Sequence, residues 1–225
     1  MDFIFMLTHD DKTVSNCLDV VDQVIDSGVS HIGFKDIGVD SETLARLSAR
    51  IRDSGATCYM EVVSTTSESV HDSIKIAAEI EIDKVLGGQD VEFALNTLNG
   101  TGATYYPFSG RPVGHPTILR GSPAEVEADC AQIRAAGCPG VDLLAYRASD
   151  ADPLDLIKAA RAGLDDGYLI VAGSIDSPQR IRAIAAAGAD AFTIGTAVFD
   201  NVFASGGNTV SYQCGEVLKA CESID

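Results

Sequence analysis

Apolar residues along this chain fall into eight short runs, and between the runs they return every three or four positions. The runs are FIFMLT (3–8), HIGFKD (31–36), TCYMEVV (57–63), DKVLGG (83–88), ATYYPF (103–108), VDLLAY (141–146), YLIVAG (168–173) and AFTIG (191–195). Each has the length of a strand, and most are rich in β-branched or aromatic residues. The intervening stretches, such as NCLDVVDQVIDSG, SETLARLSARIRDSG and PAEVEADCAQIRAAG, have the spacing of amphipathic helices. Gly28, Gly55, Gly137 and Gly188 stand where a helix would end in a left-handed residue. Ser41, Ser122 before Pro123 and Ser177 before Pro178 are the expected N-caps. Eight strand–helix units predict α/β architecture, a single (β/α)8 TIM barrel over residues 1–225. An open doubly wound sheet would need fewer strands and a glycine fingerprint after the first of them, where this chain has LTHDD.

Composition narrows the class. Hydrophobic residues make up 46% of the chain, enough for a large core and too many for general disorder. The net charge of -17 repels phosphate backbones, so no nucleic-acid partner is expected, and an anionic ligand must be held by local groups. No apolar run is long enough to span a bilayer, and the N-terminus lacks a basic leader; no membrane partner and a cytoplasmic location are expected. The six cysteines form no CxxC pair, which suits structural thiols rather than a metal or redox site.

Two of the runs end alike. VAGSI places Gly173-Ser174, and TIGTAVF places Gly195-Thr196, after the last two strands. In a barrel these positions lie at the C-terminal, active face, where the final loops commonly bind phosphate. Glycine lets the backbone approach the anion so that its amides can donate, and Ser174 and Thr196 add hydroxyls. Neutral fixed donors of this kind could hold an anion despite the acidic composition. These endings resemble those of the ribulose-phosphate-binding barrel superfamily, with its histidine- and tryptophan-pathway barrels, pentose-phosphate epimerases and related lyases. The resemblance implies a phosphorylated small-molecule substrate, often a sugar phosphate, and leaves isomerase, epimerase and lyase chemistry open.

Alternation along the strands supplies candidates for that chemistry. Ile32 and Phe34 would face the helices and leave Lys35 at the barrel mouth; Met60 and Val62 would do the same for Glu61. Glu61 could take a proton next to a carbonyl while Lys35 stabilises the enolate oxygen. Lys35 could instead form a Schiff base, or the two could be no more than a buried ion pair. His9 or Asp10, at the end of the first strand, is a second acid or base; Asp11 is expected at the surface or capping a helix. The superfamily's epimerases bind metal through His and Asp on several strands. Here strands two to four end without histidine, so no metal is expected, and no cofactor.

The segment 107–123, rich in proline and glycine, is expected as a loop over the mouth, with Arg111 and His115 contacting substrate. Tyr146 and Arg147 follow strand six at the same end, whereas Asp142 near its start is expected to be structural. Gly87 and Gly88 leave room for ligand, and Gln89 and Asp90 are weaker candidates. The sequence thus favours a metal-independent phosphosugar isomerase or epimerase, with an aldolase- or decarboxylase-type lyase as its rival. A non-catalytic phosphometabolite-binding barrel and a flavin or nicotinamide enzyme are the readings from other classes. Barrels of this size often pair, so a homodimer is expected.

Overall fold

The computed structural model describes residues 1–224. Its eight barrel strands are β1 (Asp2–Met6), β2 (His31–Lys35), β3 (Thr57–Val62), β4 (Lys84–Gly87), β5 (Thr104–Tyr106), β6 (Gly140–Leu143), β7 (Tyr168–Val171) and β8 (Ala191–Ile194). They form one parallel sheet in the order β6-β7-β8-β1-β2-β3-β4-β5. Closure between β5 and β6 uses residues just past β5: the Asp142 amide donates to the Pro107 carbonyl at 2.9 Å and the Ser109 amide to the Asp142 carbonyl at 3.2 Å. Helices α1 (Cys17–Val24), α2 (Ser41–Asp53), α3 (Ser67–Glu79), α4 (Val91–Leu98), α5 (Pro123–Ala135), α6 (Pro153–Leu164) and α7 (Pro178–Ala186) follow strands one to seven. The short α8 (Thr196–Phe199) and α9 (Val210–Glu222) follow β8.

The caps explain where the helices begin and end. Ser122 and Ser177 accept the amides of Glu125 and Arg180, each ahead of a proline in the first turn. At α2 the cap is Asp40 rather than Ser41: its carboxylate accepts the Thr43 amide, and Ser41 becomes the first helical residue. Gly28, Gly55, Gly137 and Gly188 all adopt positive φ, the conformation that ends a helix at no steric cost.

Period-two alternation divides the core into two shells. Phe3, Phe5, Ile32, Phe34, Met60 and Val62 pack outward against the helices. Ile4, Met6, Tyr59, Leu86, Tyr106 and Ile170 fill the barrel interior. At the N-terminal end the interior is sealed by polar aromatics: Tyr168 donates to Asp2 at 2.5 Å, Tyr59 and His31 share a hydrogen bond of 3.0 Å, and the Lys84 ammonium lies 4.9 Å from the Tyr168 ring centre. Among the described residues no helix is long and apolar enough to cross a membrane. Five of the six cysteines are buried and all six are free; burial pushes the Cys58 thiol up to about 12, which keeps it unreactive.

Candidate active site

Lys35 and Glu61 are register partners at the C-terminal ends of β2 and β3. Parity points both side chains inward, and they are 4% and 2% exposed. Lys35 Nζ lies 3.2 Å from Glu61 Oε2 and forms a second, shorter ion pair with Asp11 Oδ1. An ion pair is therefore present, and it forms the floor of a cavity of about 400 Å³ that Lys35 and Glu61 both line.

Asp11 departs from the expected surface position. Thr8–His9 and Lys12–Thr13 pair as a miniature antiparallel hairpin, with Asp10 and Asp11 as its two turn residues. Both adopt positive φ, 49° and 64°, as a tight two-residue hairpin turn requires and as aspartate tolerates better than most residues. The hairpin is clamped to β2, because Thr13 Oγ1 accepts the Lys35 amide at 2.9 Å and donates to the Lys35 carbonyl at 2.8 Å. Asp11 is thereby folded over the mouth, where Arg147 Nη2 approaches its Oδ1 to 2.8 Å and the Thr117 amide donates to its Oδ2 at 3.3 Å. Burial alone would raise the Asp11 carboxyl, but the Arg147 hydrogen bond and the charge of Lys35 outweigh it and lower it to about 2.

Asp142 is the second departure. It is the third residue of a four-residue strand rather than the start of a longer one, and it points inward level with Ile170. Its side chain is fully buried, and neither carboxyl oxygen has a hydrogen-bond partner among the described residues. Burial, followed by the neighbouring Glu61 charge, holds this carboxyl well above the usual carboxylate range. The interior thus holds a carboxyl raised by burial behind Glu61 and one lowered by its cations across from Lys35.

The strand-seven and strand-eight tips line the same cavity as Lys35 and Glu61. Gly173 and Ser174 take φ of 80° and 58°. A side chain on Gly173 would come within 2.5 Å of Arg147 Nε, and one on Gly195 within 2.5 Å of the Thr8 carbonyl oxygen. The amides of Gly173, Ser174 and Gly195 donate to no group among the described residues. Ser174 and Thr196 are exposed to the cavity mouth. Two carboxylates on this rim are each matched by a base: Asp176 by Arg180 at 2.9 Å, and Asp200 by His9 Nε2 at 2.9 Å.

The remaining candidates spread around the mouth. His9 sits on the rim, its ring edge against Phe199; the Asp200 hydrogen bond raises its imidazole above the ordinary value. Asp10 is exposed and borders an open recess shared with Ser174 and Thr196. His115 Nδ1 is 3.5 Å from Asp11 Oδ2. Tyr146 and Arg147 belong to a 3₁₀ turn, Ala145–Arg147, that ends strand six early. That turn brings Arg147 over Asp11, while Tyr146 lies under the Arg180 guanidinium at 4.8 Å. Segment 107–123 holds a hairpin of Arg111–Val113 and Ile118–Arg120 instead of an irregular loop. Arg111 points away from the cavity, its side chain 66% exposed and paired with Glu125 at 3.5 Å.

No protein-family model and no curated protein matches the sequence. The likeness to solved structures is extensive. A native KDPGal structure is 16% identical, with a TM-score of 0.71 over 100% of this chain and 96% of that one. Thiamine phosphate pyrophosphorylase from Pyrococcus furiosus is 13% identical, with a TM-score of 0.66 over 99% and 95% of the two chains. The tryptophan synthase alpha chain from Legionella pneumophila is 13% identical, with a TM-score of 0.67 over 99% and 92%. Identities this low speak for the scaffold and not for a reaction. The chain has the (β/α)8 fold that these solved structures share.

Proposed function

We propose that this protein is an enzyme that moves a proton next to the carbonyl of a small phosphorylated sugar-like metabolite. One observation carries the reading: the Lys35–Glu61 pair forms the floor of the cavity whose rim is Gly173, Ser174, Gly195 and Thr196. A phosphate on the free rim amides would leave the rest of a short substrate over Lys35 and Glu61. Glu61 removes the proton from the carbon beside the carbonyl, and the Lys35 ammonium stabilises the resulting enolate oxygen in a site largely shielded from water. Return of the proton from Glu61 to the former carbonyl carbon, with the neighbouring hydroxyl's proton passing to the enolate oxygen, completes an isomerisation; an epimerisation takes its proton from a second acid on the opposite face. Asp11 holds Lys35 in place. Asp142 behind Glu61, its carboxyl raised by burial, favours its protonated form, which spares the floor a further negative charge.

A panel of candidate substrates suffices for the test. Phosphorylated ketoses and aldoses incubated in D2O should take up deuterium at the carbon next to the carbonyl, read by proton NMR. If no member of such a panel exchanges, the proton-transfer reading fails. A lyase that forms the same enolate by breaking a carbon–carbon bond is the second reading, since the same base and oxyanion donor would serve it. An amine attacking a carbonyl would have to leave both of its ion pairs, with Asp11 and Glu61. Borohydride with the same panel is therefore expected to leave Lys35 unmodified by mass spectrometry, and an adduct there would instead establish a Schiff base.

The rim makes its own prediction. Inorganic phosphate should raise the melting temperature of the protein, as any ligand of the native state does. Gly195→Ala, whose added carbon would meet both Thr8 Oγ1 and the Thr8 carbonyl, is expected to lose that increment. An increment that persists in Gly195→Ala would place the bound phosphate elsewhere. His9, oriented by Asp200 beside this rim, fits an anion-binding role better than a direct part in proton transfer. A homo-oligomer is the expected assembly; one fold neighbour is a cage designed by fusing symmetric oligomeric domains.

A further inference from the structure

A second cavity, about 260 Å³ in volume, opens at the same end of the barrel over the tips of β3, β4 and β5. One wall is the hydroxyl run 64–67 leading into α3, another is His71 with Asp90, and Phe108 and Val113 supply an apolar side. The hydroxyls of this run have different duties. Ser64 donates to Asp36 at 2.6 Å and Thr66 caps α3, whereas those of Thr65 and Ser67 engage no group among the described residues.

His71 is held from two directions. Its ring stacks on Phe93 with 3.7 Å between centroids, and its Nε2 lies 2.8 Å from Asp90 Oδ2. Asp90 is itself fixed by accepting the Phe93 amide at 3.1 Å as the cap of α4. The His71 hydrogen bond holds the Asp90 carboxyl below its usual range, so the group orienting the imidazole is an anion. Nδ1 has no partner among the described residues. An imidazole fixed by a carboxylate on one nitrogen presents the other in a defined direction, as a hydrogen-bonding head for a ligand.

No lysine or arginine lines this cavity, unlike the first, and its one charged side chain is the Asp90 carboxylate, which disfavours a phosphate or carboxylate ligand. Val113 is 44% exposed on its rim, an apolar surface that a short carbon chain would cover. Thr117 lines this cavity while its amide donates to Asp11, which lines the first, so one hydrogen bond links the two chambers' linings.

We propose that the second cavity binds an uncharged hydroxy-carbonyl molecule, a short unphosphorylated sugar fragment, through His71, Thr65 and Ser67. Its assignment as the neutral partner or released fragment of a reaction in the first cavity rests on the carbon–carbon lyase, the second reading given above. The full chain with 13C-labelled histidine tests it, because the four histidines give few resonances and His71→Asn identifies the one at issue. Dihydroxyacetone should shift the His71 resonance saturably and leave that of His31, at the opposite end of the barrel, unmoved. Thr65→Tyr, which fills the cavity, should weaken this binding by at least about tenfold. Inorganic phosphate should shift His9, next to the first cavity's rim, in both proteins. A His71 resonance that ignores dihydroxyacetone, or responds equally in Thr65→Tyr, overturns the second site; a retained His9 response to phosphate then shows that the first reading is untouched. If His71 responds as expected while His9 ignores phosphate, the site stands and its link to a phosphosugar reaction is broken.

Discussion

Deuterium uptake by the phosphosugar that the wild-type protein exchanges is expected to fall by about 10²- to 10⁴-fold in Glu61→Gln, which keeps the shape of the side chain and removes its basicity. Lys35→Met should lose about 10²- to 10³-fold, the usual magnitude for removing one fixed donor to a developing oxyanion. The two losses should not add, because base and oxyanion donor serve one transition state. Lys35→Met also strands two buried carboxylates, Asp11 and Glu61, so its folding must be checked by circular dichroism before its rate is interpreted. Glu61→Gln carries no such burden, since a neutral amide beside an ammonium leaves Lys35 paired with Asp11. Full exchange activity in both variants would discard Glu61 as the base and Lys35 as the oxyanion donor and place the chemistry on other residues of the cavity.

The barrel is legible in the sequence because its signals are local and repeated. Each strand announces itself by a largely apolar run of five to seven residues, and most helices by a glycine or a serine–proline at a boundary. Parity then places Lys35 and Glu61, since one polar residue at the end of an otherwise apolar strand has few ways to point. What the pattern does not reveal depends on register and on turns. Asp142 escapes it because strand six starts and ends earlier than its apolar run, and a shift of this kind moves a residue from the base of a strand into its interior. Asp11 escapes it because TH-DD-KT is a weak hairpin signal: two aspartates at positive φ do what Asn-Gly does more commonly. The aspartate at the centre of the charge cluster therefore comes from a segment whose residue types suggest only a helix cap.

The glycines at the two strand tips show how one residue type can answer to two causes. Close approach by a ligand is one reason for a glycine there, yet Gly173 and Gly195 are also needed by their own neighbours, Arg147 and Thr8. The packing makes the rim rigid before any ligand arrives, which favours fixed amide donors over mobile side chains in so acidic a protein.

Asp11 and Asp142 should affect stability with opposite dependence on pH, and urea unfolding at a series of pH values reads both. The Asp11 carboxyl is lowered to about 2 from the ordinary 3.8. The stabilisation it gives as a carboxylate is complete above its unfolded value and is lost as pH falls from about 4 through about 2, an amount on the order of 2 kcal/mol. Asp11→Asn should cost more at neutral pH, about 3–5 kcal/mol, because Lys35 and Arg147 lose their shared partner. Asp142 behaves in reverse. Below about 4 both the native and unfolded chains hold its proton, so it has no pH-linked effect there. At higher pH the unfolded chain releases the proton while the buried native carboxyl keeps it. Stability therefore falls by about 1.4 kcal/mol per pH unit until the native group itself ionises. Asp142→Asn, neutral at every pH, should be free of this slope, so its stability relative to wild type should climb as pH rises above about 4. A difference curve that stays flat would mean that Asp142 is ionised inside the barrel, and Glu61 would then have to act beside a second full negative charge.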